Sequence, residues 1–265
     1  MSRGPLLDAM GITVWTPRAT PLGHSVVEPP LAAPVAAMPK AAPVPPVAAT
    51  PRFAPAAPAA APALPISAPT PLGDAGGLGW LELRRRVAAC QRCGLHTTRT
   101  QTVFGVGDET ADWMFIGEAP GADEDAQGEP FVGRAGQLLT SMIQALGLAR
   151  EQVFIANILK CRPPGNRDPQ PLEVAECLPY LARQIALVQP KIIVCVGRIA
   201  AQNLLGVETP LGELRGRVLR YRDSAIPVIV TYHPAYLLRS PSQKRKAWHD
   251  LKLARATLAA ARAAG

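Results

Sequence analysis

The chain has 265 residues, a formal net charge of +8 and five cysteines. This length allows one good-sized domain with an extension, and no stretch approaches the ~20 apolar residues of a membrane-spanning helix. The first residues lack the apolar core of a secretory signal, and five is an odd number of cysteines for a disulfide framework. We therefore expect a protein of the reducing cytoplasm, without a membrane partner.

The N-terminal residues differ in composition from the rest of the chain. Seventeen of the 29 prolines precede residue 81. Such a segment has few bulky apolar side chains, so burial cannot offset an ordering cost of ~1–2 kcal/mol per residue. We predict a disordered Pro/Ala-rich linker over residues 19–77 and a folded domain over 78–265. Residues 1–18 concentrate Leu, Met, Ile and Trp, either incidentally or as a short docking motif for a protein partner.

Apolar runs and helical patterns alternate along the rest of the chain. The apolar runs predict strands over residues 112–116, 153–158, 191–196 and 227–232. Helices are predicted over residues 78–90, 134–147, 171–189, 198–205 and 242–264. This alternation predicts a three-layer α/β/α domain with a central, roughly four-stranded parallel sheet. Pro179 should kink its helix or start it afresh.

Polar residues stand at the ends of three predicted strands. Glu118 follows the first strand within GEAPG, Asn157 ends the second, and His233 follows the fourth within HPAYLLR. The carboxyl ends of parallel strands share one crevice, so these side chains should converge. Phe131 lies in a polar, Gly-rich loop and is either a lid over the core or a platform for a planar ligand. Glu124 and Asp125 brace this loop, form a wall beside a bound ligand, or are solvated acids.

Four cysteines have the character of metal ligands. Cys90 and Cys93 form C-x2-C, and Cys161 and Cys177 follow at long range, whereas Cys195 falls inside an apolar strand and should be buried. Zinc and an iron–sulfur cluster both accept four thiolates, and unpaired core cysteines are the plain alternative. The predicted domain has 24 basic against 17 acidic residues, which suits a polyanionic partner.

These motifs together resemble a known family. The blocks GEAPGADED, EPFVGRAGQLL, VFIANILKCRPPGNRDP and YHPAYLLR, with the cysteine spacing, closely resemble the type-4 iron–sulfur uracil-DNA glycosylases. The resemblance runs from about residue 78 to about 258. It implies a [4Fe–4S] cluster on Cys90, Cys93, Cys161 and Cys177, and uracil-containing DNA as the partner of a monomeric enzyme. In a bacterium, such an enzyme would work at the nucleoid.

The resemblance also implies roles for individual residues. Phe131 would stack on a flipped uracil, Asn157 would read its edge, and His233 would stabilise the departing base. Glu118 would position or activate water, and the backbone of Gly117, Ala119 and Gly121 would line the base. DNA contacts are expected from a set of basic residues and two possible wedge leucines: Arg134, Lys160, Arg162, Arg167, Arg239, Lys244, Arg245, Leu237 and Leu238.

Two other functions are compatible with these patterns. The domain could be a non-catalytic module that binds lesions or recruits partners. It could also be an iron–sulfur redox protein whose basic charge is incidental. Release of free uracil would separate the enzyme from the binding module.

Overall fold

The computed structural model describes residues 77–263. The predictions of a docking motif over residues 1–18 and of a linker over 19–77 therefore lie outside the described residues, apart from Gly77. The strands are β1 (Val106–Gly107), β2 (Trp113–Gly117), β3 (Phe154–Asn157), β4 (Ile192–Val196), β5 (Leu219–Arg220) and β6 (Pro227–Thr231). The helices are α1 (Trp80–Ala88), α2 (Ala122–Gln127), α3 (Arg134–Ala145), α4 (Pro171–Val188), α5 (Arg198–Leu205), α6 (Leu211–Leu214), α7 (Pro234–Arg239) and α8 (Lys244–Ala263).

The sheet has six strands in the order β1-β3-β2-β4-β6-β5. Its four central strands are parallel, as predicted from the apolar runs. The two outer strands pair antiparallel with their neighbours and have two residues each, too short to leave a hydrophobic pattern in the sequence. The chain passes from β2 to β3 on one side and then crosses to β4 on the other. Ligand crevices in open α/β sheets form where the strand order reverses in this way.

Helices cover both faces of the sheet. Alternate residues of β2 point to opposite faces, with Met114 and Ile116 in one core cluster and Trp113 and Phe115 in the other. Helices α4 and α5 contribute to the first cluster, and α3 and α8 to the second. The three-layer α/β/α prediction is confirmed. Because both faces are covered, the central strands are apolar along their length.

The sequence also predicted the local structure at Pro179 and at Cys195. Helix α4 runs through Pro179 as one element, so the alternative that the helix starts afresh there is wrong. A proline inside a helix removes one main-chain hydrogen bond, and packing of the surrounding apolar face compensates for that loss here. Cys195 is fully buried in β4, as predicted. Among the described residues, no helix is both long and apolar enough to cross a membrane.

Candidate functional site

A cleft of about 430 Å³ opens at the carboxyl ends of the parallel strands. Segments after β2, β3 and β6 line it, which confirms that the three polar strand ends meet. The lining residues are Glu118, Ala119, Pro120, Gly121, Glu124, Phe131, Ala135, Asn157, Pro163, Asn166, Arg167, Asp168, His233, Ala235 and Arg239.

The floor of the cleft is built on a close approach at Gly117. Parallel pairing places Gly117 opposite Asn157 in the register of β2 and β3. A Cβ atom at residue 117 would collide with Asn157 Oδ1 and with the ring of Phe131. Asn157 is 2% exposed, and its Oδ1 atom has no hydrogen-bond partner in the described structure. A buried acceptor without a partner is costly, so a ligand donor is its natural complement.

The backbone at Phe131 is strained. Its φ is 57°, in the left-handed region that is rare for a bulky residue. The main chain of Gly136 packs against the Phe131 carbonyl so closely that a Cβ there would overlap it. Arg150 Nη2 donates to Pro130 O at 2.6 Å and fixes the preceding residue. Strain held by such contacts is typical of a functional side chain that must keep one orientation.

Glu124 connects the two loops that line the cleft. Its Oε2 accepts from Gly121 N at 3.0 Å. Its Oε1 accepts from Val132 N at 3.0 Å and from Gly133 N at 3.2 Å. The buried Asp125 next to it accepts both its bonds from Thr100 N. The interpretation of these acids as loop braces is therefore confirmed.

Glu118 is a carboxyl group with a raised pKa. Burial, with a smaller effect from the nearby charge of Asp168, raises the pKa of Glu118 from 4.5 to about 7 against the opposing effect of Arg198. Arg198 pairs with Asp168 at 3.3 Å. The carboxyl group therefore changes its charge near neutral pH. Such a group can hold or accept a proton of a bound water.

His233 is a neutral imidazole with a defined tautomer. Ala235 N donates to its Nδ1 at 3.1 Å, so the ring proton sits on Nε2. Burial, with a smaller effect from the charge of Arg239, lowers the pKa of His233 to about 4 against the opposing effect of Glu124. Its ring lies 5.8 Å from the ring of Phe131. Near neutral pH, Nε2–H is thus a donor next to the ring of Phe131.

A buried ion pair anchors the turn that carries His233. Arg215 pairs with Asp250 of α8 at 2.7 Å, and both side chains are largely buried. The same guanidinium lies 4.0 Å from the ring centre of Tyr232, which stacks on Tyr236. These contacts connect α8 to the residues on either side of His233. The orientation of the imidazole therefore depends on the packing of the C-terminal helix.

The four candidate cysteine ligands lie near one another. Cys90 and Cys93 follow the end of α1 and are half-buried, and Cys161 and Cys177 are buried in the first core cluster. Each thiol interacts electrostatically with at least two of the other three. Arg99 Nη1 donates to Cys161 Sγ at 3.1 Å. Within residues 77–263, no three His, Cys, Asp or Glu side chains are grouped to hold a metal ion.

Two of the predicted DNA contacts are wrong. Lys160 is 1% exposed and donates to Asn157 O and to Gln184 Oε1, so its ammonium cannot reach a phosphate. Leu237 is 1% exposed because it packs into the core between α3 and α8, so it is not a wedge. Two adjacent leucines on a short helix do not show from the sequence which of them faces the core. Leu238, at 37% exposure, and its neighbour Tyr236 face solvent instead.

The other predicted DNA contacts reach the surface. Arg167 and Arg239 line the cleft, although Arg167 also pairs with Glu173 at 2.6 Å. Arg162 Nε donates to Asn166 Oδ1 at 2.7 Å beside the cleft. The remaining basic side chains that were predicted are exposed: Arg134, Lys244 and Arg245.

Comparison with known proteins identifies the family. The profile of the uracil DNA glycosylase superfamily matches residues 104–252. This chain belongs to that superfamily. It is 48% identical over 177 residues to a type-4 uracil-DNA glycosylase of Archaeoglobus fulgidus, which covers 64% of this chain and 89% of the relative.

Two further relatives show which type of uracil-DNA glycosylase this chain is more similar to. A type-4 enzyme of Sulfurisphaera tokodaii is 44% identical over 178 residues, 64% of this chain and 81% of the relative. A type-5 uracil-DNA glycosylase of Pyrobaculum aerophilum is 30% identical over 148 residues, 49% of this chain and 64% of the relative. The similarity to the type-4 members is thus higher and extends over more of the chain.

Two residues whose charges act on Glu118, Asp168 and Arg198, were not predicted from the sequence. Asp168 follows a loop from which only Arg162 and Arg167 were predicted to contact a ligand. Arg198 follows Gly197 directly after β4. The rule that selected Glu118, Asn157 and His233 applies equally to the end of β4. Applied to all four strands, it would have indicated Arg198 as well.

Gly117→Ala should disable the cleft without unfolding the domain. The new methyl group would push apart Asn157 and Phe131, the two side chains that contact the Cβ position. We expect weaker binding of free uracil by at least about tenfold, since a buried polar contact is displaced. Gly79→Ala is the matched control because nothing lies within 4 Å of its Cβ position. Equal uracil binding by both variants would contradict the packing described here.

Glu118→Gln should stabilise the protein at alkaline pH. The folded-state pKa is raised to about 7 from 4.5, so the stability that protonated Glu118 contributes is complete below about 4.5 and is lost as pH rises through about 7. Glutamine cannot ionise and avoids that loss. The melting temperature of the variant should therefore exceed that of the wild type more at pH 8 than at pH 5. A difference that does not change with pH would show that Glu118 is not desolvated.

Proposed function

We propose that this chain is a type-4 uracil-DNA glycosylase that hydrolyses the N-glycosidic bond of uracil in DNA. The observation that carries this proposal is the convergence of Glu118, Phe131, Asn157 and His233 on one cleft in a member of the superfamily. The products are free uracil and an abasic site. Because a base within a duplex cannot enter such a cleft, the nucleotide must first flip out of the stack.

Asn157 and Phe131 would recognise the base. The unpartnered Oδ1 of Asn157 can accept from uracil N3–H, and its amide nitrogen can donate to O4. Cytosine presents the opposite pattern at these two positions, so one fixed amide rejects it. The ring of Phe131, held by its strained backbone, would stack on the pyrimidine.

His233 would stabilise the leaving group. As the bond from C1′ to N1 breaks, its electron pair moves onto uracil, and negative charge develops at O2. The Nε2–H of the neutral imidazole donates a hydrogen bond to that oxygen. Because burial keeps the pKa of His233 near 4, the group remains a neutral donor throughout the physiological range.

Glu118 would hold the attacking water on the other side of the sugar. The oxygen of water bonds to C1′, and a proton leaves that water for the carboxylate or for solvent. The anionic carboxylate also stabilises the positive charge that develops on the sugar. Since the pKa of Glu118 is about 7, the active anion is half formed near neutral pH. Burial is the main cause of that pKa, and the opposing charges of Asp168 and Arg198 modify it.

A [4Fe–4S] cluster bound by Cys90, Cys93, Cys161 and Cys177 fits the cysteine group. Each of the four thiols interacts electrostatically with at least two of the others. Four Cys thiolates are the ligand set of a [4Fe–4S] cluster, and four thiolates bring negative charge to the site. Two cations, Arg99 and the buried Lys160, lie against these thiols. The cluster would join α1, the Cys161 loop and α4, and hydrolysis requires no electron transfer from it.

The DNA-binding surface would surround the mouth of the cleft. Exposed basic side chains near it would contact phosphates, which contributes affinity for any sequence. We propose Leu238, with Tyr236 beside it, as the apolar group that enters the base stack. The enzyme would act as a monomer in the cytoplasm, at the nucleoid of a bacterium, and residues 1–18 would contact a protein partner.

Incubation with a uracil-containing oligonucleotide, followed by alkaline cleavage of abasic sites, tests the proposed activity. The enzyme should cut at uracil and leave a matched thymine oligonucleotide intact. Tight binding to the uracil strand without cleavage would favour the lesion-binding module instead.

His233→Ala should slow the chemical step much more than it weakens binding. Loss of one donor to a developing anion lowers the single-turnover rate constant by about 10²–10³-fold. His249→Ala is the matched control, since His249 is exposed on α8. If His233→Ala left the chemical step unchanged and weakened binding to uracil and plain duplexes alike, His233 would be a backbone contact.

Replacement of any one of the four proposed ligands by alanine should remove iron and visible absorption together. Loss of one thiolate from a four-thiolate cluster destabilises the whole group. Cys195→Ala is the control, because Cys195 is buried in β4 away from that group. Iron and sulfide analysis of anaerobically purified protein measures the effect. Stoichiometric zinc without iron in the wild type would contradict the assignment.

A further inference from the structure

Lys160 is a buried lysine that no step of the proposed reaction uses. Its Nζ donates to Asn157 O at 2.8 Å and to Gln184 Oε1 at 2.7 Å. Gln184 is itself fixed, because its Nε2 donates to Phe104 O at 2.8 Å. The ammonium thus holds the main chain of the residue whose side chain faces the base.

The same residue lies next to the cysteine group. Cys161 is the next residue in the chain, and the Lys160 side chain interacts electrostatically with the thiols of Cys177 and Cys161. Lys160 O accepts from Val103 N at 2.8 Å, which fixes the main chain between Lys160 and Cys161. Lys160 therefore lies between the cysteines and the end of β3, to which its side chain is hydrogen-bonded.

The charges around Lys160 explain why a lysine is tolerated there. Both acceptors of the ammonium are neutral, and none of the ion pairs found within residues 77–263 includes Lys160. A buried cation without a counter-charge is costly. The nearest groups that can carry negative charge are Cys161 and Cys177, with which Lys160 interacts electrostatically. As thiolate ligands of an anionic cluster, they would supply that counter-charge.

We propose that Lys160 is a positioning residue that connects the cluster to the base-reading Asn157. This inference rests on the proposed function, because it assigns Lys160 a role through Asn157. The cluster charge holds the ammonium in place, and the ammonium fixes the carbonyl at the end of β3. The Asn157 amide is then held in one position and one orientation relative to the base. The iron site thereby contributes to base recognition without touching the substrate.

The full-length chain and three variants test this: Lys160→Met, Asn157→Ala and the double variant. Binding of free uracil, binding of a plain duplex, single-turnover excision and iron release to a chelator are measured for each. Lys160→Met should weaken uracil binding by about 10- to 100-fold, as expected for loss of a charged hydrogen bond. It should also release iron faster, yet bind plain duplex within about twofold of wild type. Lys252→Met, at an exposed lysine of α8, is the control.

The double variant separates positioning from general damage. If Lys160 acts through Asn157, Lys160→Met causes little further loss of uracil binding in the Asn157→Ala background. The same fold-loss in both backgrounds would overturn the inference. So would unchanged uracil binding in Lys160→Met, or weakening of plain-duplex binding to the same degree.

A second variant keeps the inference testable if Lys160→Met does not retain iron. Gln184→Met removes the other acceptor of the ammonium and should cause a smaller loss of uracil binding in the same direction. No loss would overturn the inference. A wild-type chain that releases no uracil overturns the proposed function. If the wild type releases uracil and the Lys160→Met variant is equally active, only the role of Lys160 is overturned.

Discussion

The parallel pairing of β2 with β3, in register at Gly117 and Asn157, is the constraint on which the site depends. It brings the loop that holds Glu118 beside the amide of Asn157. The close approach is possible only because residue 117 has no side chain. Both strands are fully buried and alternate their side chains between two core clusters, so a slip of one residue would move each side chain to the wrong cluster and disrupt the packing of both. The hydrophobic core thereby sets the geometry of the cleft.

Charged groups in the loops convert that geometry into a rigid site. Glu124 accepts three backbone hydrogen bonds from two loops, and the Arg215–Asp250 pair anchors the turn before His233. Burial shifts the pKa values of the two proposed reactive groups in opposite directions, because it disfavours the ionised form of each group. The pKa of Glu118 rises and that of His233 falls, which leaves an acid that ionises near neutral pH and a neutral donor.

The sequence predicted the sheet and the strand-end residues because both follow from local pattern. Apolar runs mark buried strands, and a parallel sheet brings their carboxyl ends together. It could not predict β1 and β5, whose two residues each are defined only by pairing with a neighbour. Lys160 and Leu237 were assigned to DNA because charge and apolarity do not show which way a side chain points. The burial of Lys160 follows from its contact with Gln184, and that of Leu237 from packing against α3 and α8. Local pattern shows neither contact.

One amide, that of Asn157, is proposed to decide which base is cleaved, and base selectivity is its most direct test. Single-turnover release of uracil and of cytosine can be measured from matched oligonucleotides for the wild type and for Asn157→Asp. Wild type should release uracil alone. The aspartate variant loses the donor to O4, so its uracil rate should fall by at least about tenfold, and its protonated form should admit cytosine. Unchanged selectivity and rate in Asn157→Asp would contradict base reading by the residue at the end of β3.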